Sequence, residues 1–117
     1  MSDNVSVEKS FAFSIRIVNL YKYLIREHRE YVMSKQLLRC GTSIGANIAE
    51  AQRGQSKADF AAKMNIALKE ANESEYWIKL LFHTGYLNET QFNSLNHDIQ
   101  ELIAILTAVC HSANAAK

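Results

Sequence analysis

Not one proline interrupts these 117 residues. Proline fixes φ and removes a backbone donor, so a chain without it can run long helices unbroken. Four glycines are also too few for a turn-rich β protein. With 48% hydrophobic residues there is enough apolar material for a packed interior. The length suits one domain, residues 1–117, built around one core. The chain therefore reads as all-α, and its hydrophobic spacing sets the number of helices.

Four segments emerge, at about 7–29, 34–53, 57–84 and 89–112. In the first, Phe11, Phe13, Ile15, Ile17, Val18, Leu20, Tyr21, Leu24 and Ile25 cover about half the helix circumference at ~100° per residue, wider than one core-facing stripe. Such a helix needs two packing partners, one of which a neighbouring subunit can supply. In the second, Leu37, Cys40, Ile44, Ile48 and Ala51 share a face. Gly41 and Gly45 lie four apart, and two glycines on one face predict close approach of another helix. In the third, Phe60, Met64, Ala67, Ala71, Ser74, Ile78 and Leu81 form a stripe stepping by three and four. A second apolar set lies off that stripe: Ile66, Leu68, Tyr76, Trp77, Leu80 and Phe82. The fourth carries one narrow stripe, Phe92, Leu95, Ile99, Leu102, Leu106 and Val109, with a tail expected to fray after Ser112.

Punctuation falls between these segments. Gly54 marks a turn, and Ser56 with Asp59 reads as a variant capping box. Gly85 suits a left-handed helix end, and Asn88 with Gln91 opens the last helix. Short connections between long helices favour antiparallel neighbours, hence an up-down-up-down four-helix bundle.

The formal charge of +1 gives no global field for nucleic acid or anionic membrane. The distribution is uneven, however. Lys22, Arg26, Arg29, Lys35 and Arg39 outnumber Glu27 and Glu30, whereas Glu70, Glu73, Glu75, Glu89, Asp98 and Glu101 make the later part acidic. Cys40 and Cys110 are isolated in apolar surroundings, as buried free thiols in a reducing compartment would be. The polar start MSDNVSVEKS lacks the apolar core of a signal peptide. No apolar run approaches the ~20 residues of a membrane span. The expected location is cytoplasmic.

Chemistry-bearing motifs are missing. There is no HExxH or CxxC pair and no Gly-rich phosphate loop, and the Gly-x-Ser-x-Gly spelling at Gly41, Ser43 and Gly45 falls inside the second helical segment, not on a strained strand-to-helix turn. No catalytic residues, metal ligands or cofactor are assigned. Ser43, Asn47 and Glu50 do share one face of the second helix, where hydrogen bonds to the third helix or to an adjacent subunit would satisfy them.

The stretch from Ser43 to Leu87 carries Ser43, Ile44, Asn47, Ile48 and Glu50, then Ser56, Asp59 and Phe60, then Ile66 and Ala67, then Glu73, Glu75 and Tyr76. It closely resembles the four helix bundle protein family, also called the 23S ribosomal RNA intervening-sequence protein family. Ala51 and Asn72 depart from residues common in that family, a glycine and a basic residue respectively. The resemblance implies a ring-like homopentamer encoded within insertions in ribosomal RNA genes, and no catalytic activity. The family is similar to the accessory variability protein of diversity-generating retroelements, a basic pentamer that binds nucleic acid and a reverse transcriptase. Two readings follow. In one, Lys22, Arg26, Arg29, Lys35 and Arg39 contact RNA or DNA around an oligomer. In the other, the chain is a protein-interaction scaffold with no nucleic-acid role.

Overall fold

The computed structural model describes residues 2–116, with side chains described for 5–115. Four helices follow one another: α1 (Ser2–His28), α2 (Met33–Ala51), α3 (Lys57–His83) and α4 (Glu89–Ala116). Connections of four or five residues reverse the chain each time, so successive helices run antiparallel. α2 lies between α1 and α3, and α4 closes the bundle against α3 and α1. The result is a prism of 45 × 20 × 19 Å. Among the described residues, no helix is long and apolar enough to cross a membrane.

The stripes meet at the bundle axis. Leu37, Cys40, Ile44 and Ile48 of α2 are buried with Met64, Ala67, Ala71, Ile78 and Leu81 of α3. Leu95, Ile99, Leu102 and Leu106 of α4 join them. Phe82 of α3 stacks on Phe92 of α4 with ring centroids 4.4 Å apart.

The glycine pair does what its spacing predicts. A Cβ on Gly41 would lie 3.0 Å from both Cγ1 and Cγ2 of Ile17, and one on Gly45 would lie 3.3 Å from the backbone oxygen of Ser10. The close helix is therefore α1, which meets α2 through the Ile17 side chain at Gly41 and through the Ser14 hydroxyl and Ser10 backbone at Gly45. The α1–α4 seam is thinner and polar. Arg16 donates from Nη1 to Asp98 at 2.7 Å and from Nη2 to the Ser94 hydroxyl at 3.0 Å. Lys9 pairs with Glu101 at 3.1 Å.

The wide face of α1 is partly unpartnered in a single chain. Phe13, Ile17 and Leu24 are buried, but Phe11 is 67% exposed, Ile15 51% and Val18 37%. The second set on α3 splits likewise: Leu68, Trp77 and Phe82 pack on the core, whereas Ile66 and Tyr76 are exposed.

Helix ends show where local signals decide. The Ser56 hydroxyl accepts from Asp59 N–H at 3.1 Å, and the Asp59 carboxylate accepts from Gln55 N–H at 3.3 Å. Asn88 and Gln91 exchange reciprocal bonds of 2.8 Å. Gly85 adopts φ +89 at the end of α3, a conformation that suits a residue without Cβ. Two boundaries differ from the sequence reading. α1 starts at Ser2, not near Val7, because the small Ser6 and Ser10 are buried without forming an apolar stripe. α4 continues to Ala116 past the expected fray at Ser112. Ala113 and Ala115 favour helix there, and Asn114 accepts from Asn65 of α3 at 2.9 Å.

Alanine normally stabilises a helix interior by ~1 kcal/mol over glycine. At Gly41 the sign should reverse, because the added Cβ would press on Ile17, which is buried and, being β-branched, stiff at χ1. Gly41→Ala should cost about 1–3 kcal/mol, the usual range for overpacking. Urea denaturation gives the answer, and an unchanged or raised midpoint would contradict the close approach.

Candidate nucleic-acid interface

The expected basic residues all lie within two helical turns of the connection joining α1 to α2, though their side chains do not all face the same way. α1 closes with Arg29 N–H donating to the Ile25 carbonyl at 3.1 Å and Glu30 N–H to the Leu24 carbonyl at 3.2 Å. Arg29 sits between these bonds at φ +50, in the left-handed position where glycine is the usual occupant. For a residue with Cβ this conformation costs about 1 kcal/mol.

Glu30 then turns back over the start of α2. Its carboxylate accepts from the N–H groups of Val32 and Met33 at 3.0 Å and of Ser34 at 2.7 Å. The Ser34 hydroxyl donates to the Glu30 carbonyl at 2.7 Å. One buried acid thus satisfies three of the four free donors at that helix end, and its charge lies at the positive pole of the helix. Burial pushes the Glu30 carboxyl up, but the N–H groups of Ser34, Met33 and Val32 together hold it below its ordinary 4.5. His28 secures the same end from the other side, edge-on to Tyr23 at 5.4 Å and to Tyr86 of the α3–α4 turn at 5.5 Å.

The five basic residues fare differently. Lys22, Arg26 and Arg29 continue the spacing of Phe11, Ile15 and Val18, so the outer face of α1 is apolar in its first half and basic in its second. All six are exposed. Arg26 pairs with Glu27 at 2.8 Å. Lys22, Arg29 and Lys35 have no carboxylate within 4.0 Å among the described residues. Arg39 turns away toward α3, where it meets Glu73 at 2.6 Å and Glu70 at 3.5 Å. It braces α2 against α3 and is not part of the open basic cluster. Burial raises the Glu73 carboxyl, but the Trp77 N–H at 3.2 Å and Arg39 bring it below its ordinary value.

The motif residues between Ser43 and Tyr76 are mostly architectural. Asn47 donates to the Ser43 carbonyl at 2.8 Å and to its hydroxyl at 3.0 Å, so that of the set expected to reach α3 or an adjacent subunit these two bond within α2. Glu50 pairs with Lys63 of α3 at 2.8 Å. Ile44 and Ile48 are core, Phe60 packs on it, and Ser56 with Asp59 caps α3. Glu75 accepts from Gln100 of α4 and faces Lys79. Tyr76 is exposed, edge-on to Trp77 at 5.1 Å.

One grouping escaped the sequence reading. His97, Asp98 and Glu101 bring possible ligand atoms within 4.8 Å of one another, and the four-residue step from His97 to Glu101 was its only visible sign. Arg16 and Lys9 already neutralise its two carboxylates from α1. The thiols are quiet: burial, only partly opposed by the hydrogen bond from Ser74, pushes Cys40 up to about 11, and burial raises Cys110. Among the described residues, every buried side-chain nitrogen or oxygen has a partner.

Comparison with known proteins adds a lineage. The model of the family described as 23S rRNA-intervening sequence protein matches residues 2–108. A crystal structure from Bacteroides thetaiotaomicron, of a protein with unknown function from the S23 ribosomal protein family, is 56% identical. It superposes with a TM-score of 0.93 over 95% of this chain and 99% of that one. No curated protein matches.

Glu30→Gln should lower stability by about 1–3 kcal/mol, because a neutral amide accepts fewer and weaker bonds from the three donors. The Glu30 carboxyl is depressed in the folded state, so its contribution is complete above pH 4.5 and is lost as pH falls through the folded value. Melting curves from pH 7 downward should show the wild type losing more stability than the variant. Parallel curves would contradict the cap. Both cysteines should resist alkylation at pH 8 while native and react once denatured; rapid modification of the native protein would contradict their burial.

Proposed function

The chain belongs to the 23S rRNA-intervening sequence protein family, and from that premise we propose that it is a non-catalytic oligomer that binds nucleic acid. It engages RNA or DNA through a basic end repeated around a homopentameric ring. The observation that carries this reading is the set of three cations, Lys22, Arg29 and Lys35, left without carboxylate partners among the described residues beside one turn. In a nearly neutral chain, uncompensated cations gathered at one place are the natural partners of phosphate. Five copies would multiply a small local charge into a salt-sensitive, sequence-independent affinity. The exposed stripe of Phe11, Ile15 and Val18 supports self-association, since it ends where the cations begin. The S23 ribosomal protein family named for the Bacteroides relative favours the same partner class. Two free, buried thiols suit the reducing cytoplasm.

A second reading keeps the oligomer and drops the nucleic acid. The exposed apolar stripe on α1, with Ile66 and Tyr76 on α3, favours it. On that reading the protein is a scaffold, and its partner is another protein.

Two measurements separate these. Light scattering at micromolar concentration should give five times the 13.3 kDa of one chain, falling when Phe11 and Ile15 are both changed to Ser; a monomer mass for the wild type would refute the ring. Labelled structured RNA and duplex DNA should bind at low salt, and binding should weaken as salt rises. Changing Lys22, Arg29 and Lys35 to Ala should flatten the salt dependence, by about 0.9 in log–log slope for each duplex phosphate that is no longer neutralised. No binding at low salt leaves only the scaffold.

A further inference from the structure

The turn between α1 and α2 holds a strained arginine, a buried acid and an exposed tyrosine in three consecutive residues. Arg29 occupies a left-handed position that glycine would fill without strain. Strain of this kind persists only where the surroundings enforce it, and it concentrates at functional positions. Here the enforcing group is Glu30, whose carboxylate ties down three backbone donors. Tyr31 follows at 54% exposure and Val32 at 72%. The backbone N–H of Val32 is one of the donors held by Glu30, so Tyr31 projects from a fixed turn and not from a loose loop. Its ring meets no other aromatic ring among the described residues, whereas Tyr23, Tyr76 and Tyr86 each do. Arg29 precedes it by two residues and Lys35 follows it by four, both exposed and without a carboxylate within 4.0 Å among the described residues.

We propose that this turn binds single-stranded nucleic acid, with an unpaired base stacked on the Tyr31 ring and the adjacent phosphate held by Arg29. This rests on the nucleic-acid reading above and makes it specific for unpaired strands. A flat, exposed ring beside cations is the recurring platform for single strands, because every base offers a π-face whatever its identity. A duplex has its bases stacked internally and gains nothing from the ring; it can use only the cations.

The test is fluorescence anisotropy with three labelled probes of equal length at low salt: oligouridine, oligothymidine and a blunt RNA duplex. Tyr31→Ala should weaken binding to both single strands by at least about fivefold and leave the duplex unchanged. Tyr31→Phe and Tyr31→Trp should retain binding. Oligouridine and oligothymidine should respond alike if the contact is to the base; a loss confined to one strand would overturn the stacking. Arg29→Gly should weaken binding to all three probes and flatten the salt dependence, while raising the melting temperature. That last readout separates a binding role from a structural one. If the wild type binds single strands and Tyr31→Ala binds them equally well, or loses the duplex to the same extent, the stacking proposal is wrong and phosphate binding stands. If the wild type binds none of the three, the nucleic-acid reading fails and the proposal falls with it.

Discussion

Everything on the outside of this bundle depends on how closely α1 lies on α2. Gly41 and Gly45 put no side chain of α2 between the two helices, and from α1 the Ile17 side chain, the Ser14 hydroxyl and the Ser10 carbonyl fill the space where Cβ atoms would be. That contact fixes the rotation of α1 about its axis. With Ile17 and Phe13 turned inward, Phe11, Ile15, Val18, Lys22, Arg26 and Arg29 are turned outward. The α1–α4 seam does not set this orientation strongly, since it rests on exposed and half-buried ion pairs, which contribute little in water.

The turn after α1 converts that orientation into a surface. Glu30 serves as a cap for α2 from outside the helix, which stiffens the four-residue connection between α1 and α2. The acid also removes itself from the local charge balance, because backbone dipoles satisfy it. Arg26 answers Glu27 in the same way. What remains exposed at this end is cationic at Lys22, Arg29 and Lys35, aromatic at Tyr31 and aliphatic at Val32, although the chain as a whole is close to neutral.

The core was legible because burial imposes a helical period that the sequence must obey. The stripes Leu37 to Ala51 and Met64 to Leu81 are buried as their spacing requires, and the glycine pair announced a close contact before its partner was known. Features joined across long sequence separations were not legible. Arg39 reads as one of five similar cations until Glu70 and Glu73 are seen 31 and 34 residues away. The cap from Glu30 carries no familiar signature, since the acid lies outside the helix it serves. Ser6 and Ser10 hid the first turns of α1 because small polar residues can be buried without forming an apolar stripe. Ser43 and Asn47 looked like a contact to another helix, yet they bond to each other.

Whether the α1–α2 end of the bundle is the surface that meets nucleic acid is tested most directly by hydrogen–deuterium exchange with and without oligouridine. Exchange reports where the ligand sits and not only whether it binds. It should slow in peptides spanning residues 22–39 and stay unchanged in the middle of α4. Protection confined to α3 and α4, or none at a concentration where binding is saturated, would contradict that assignment.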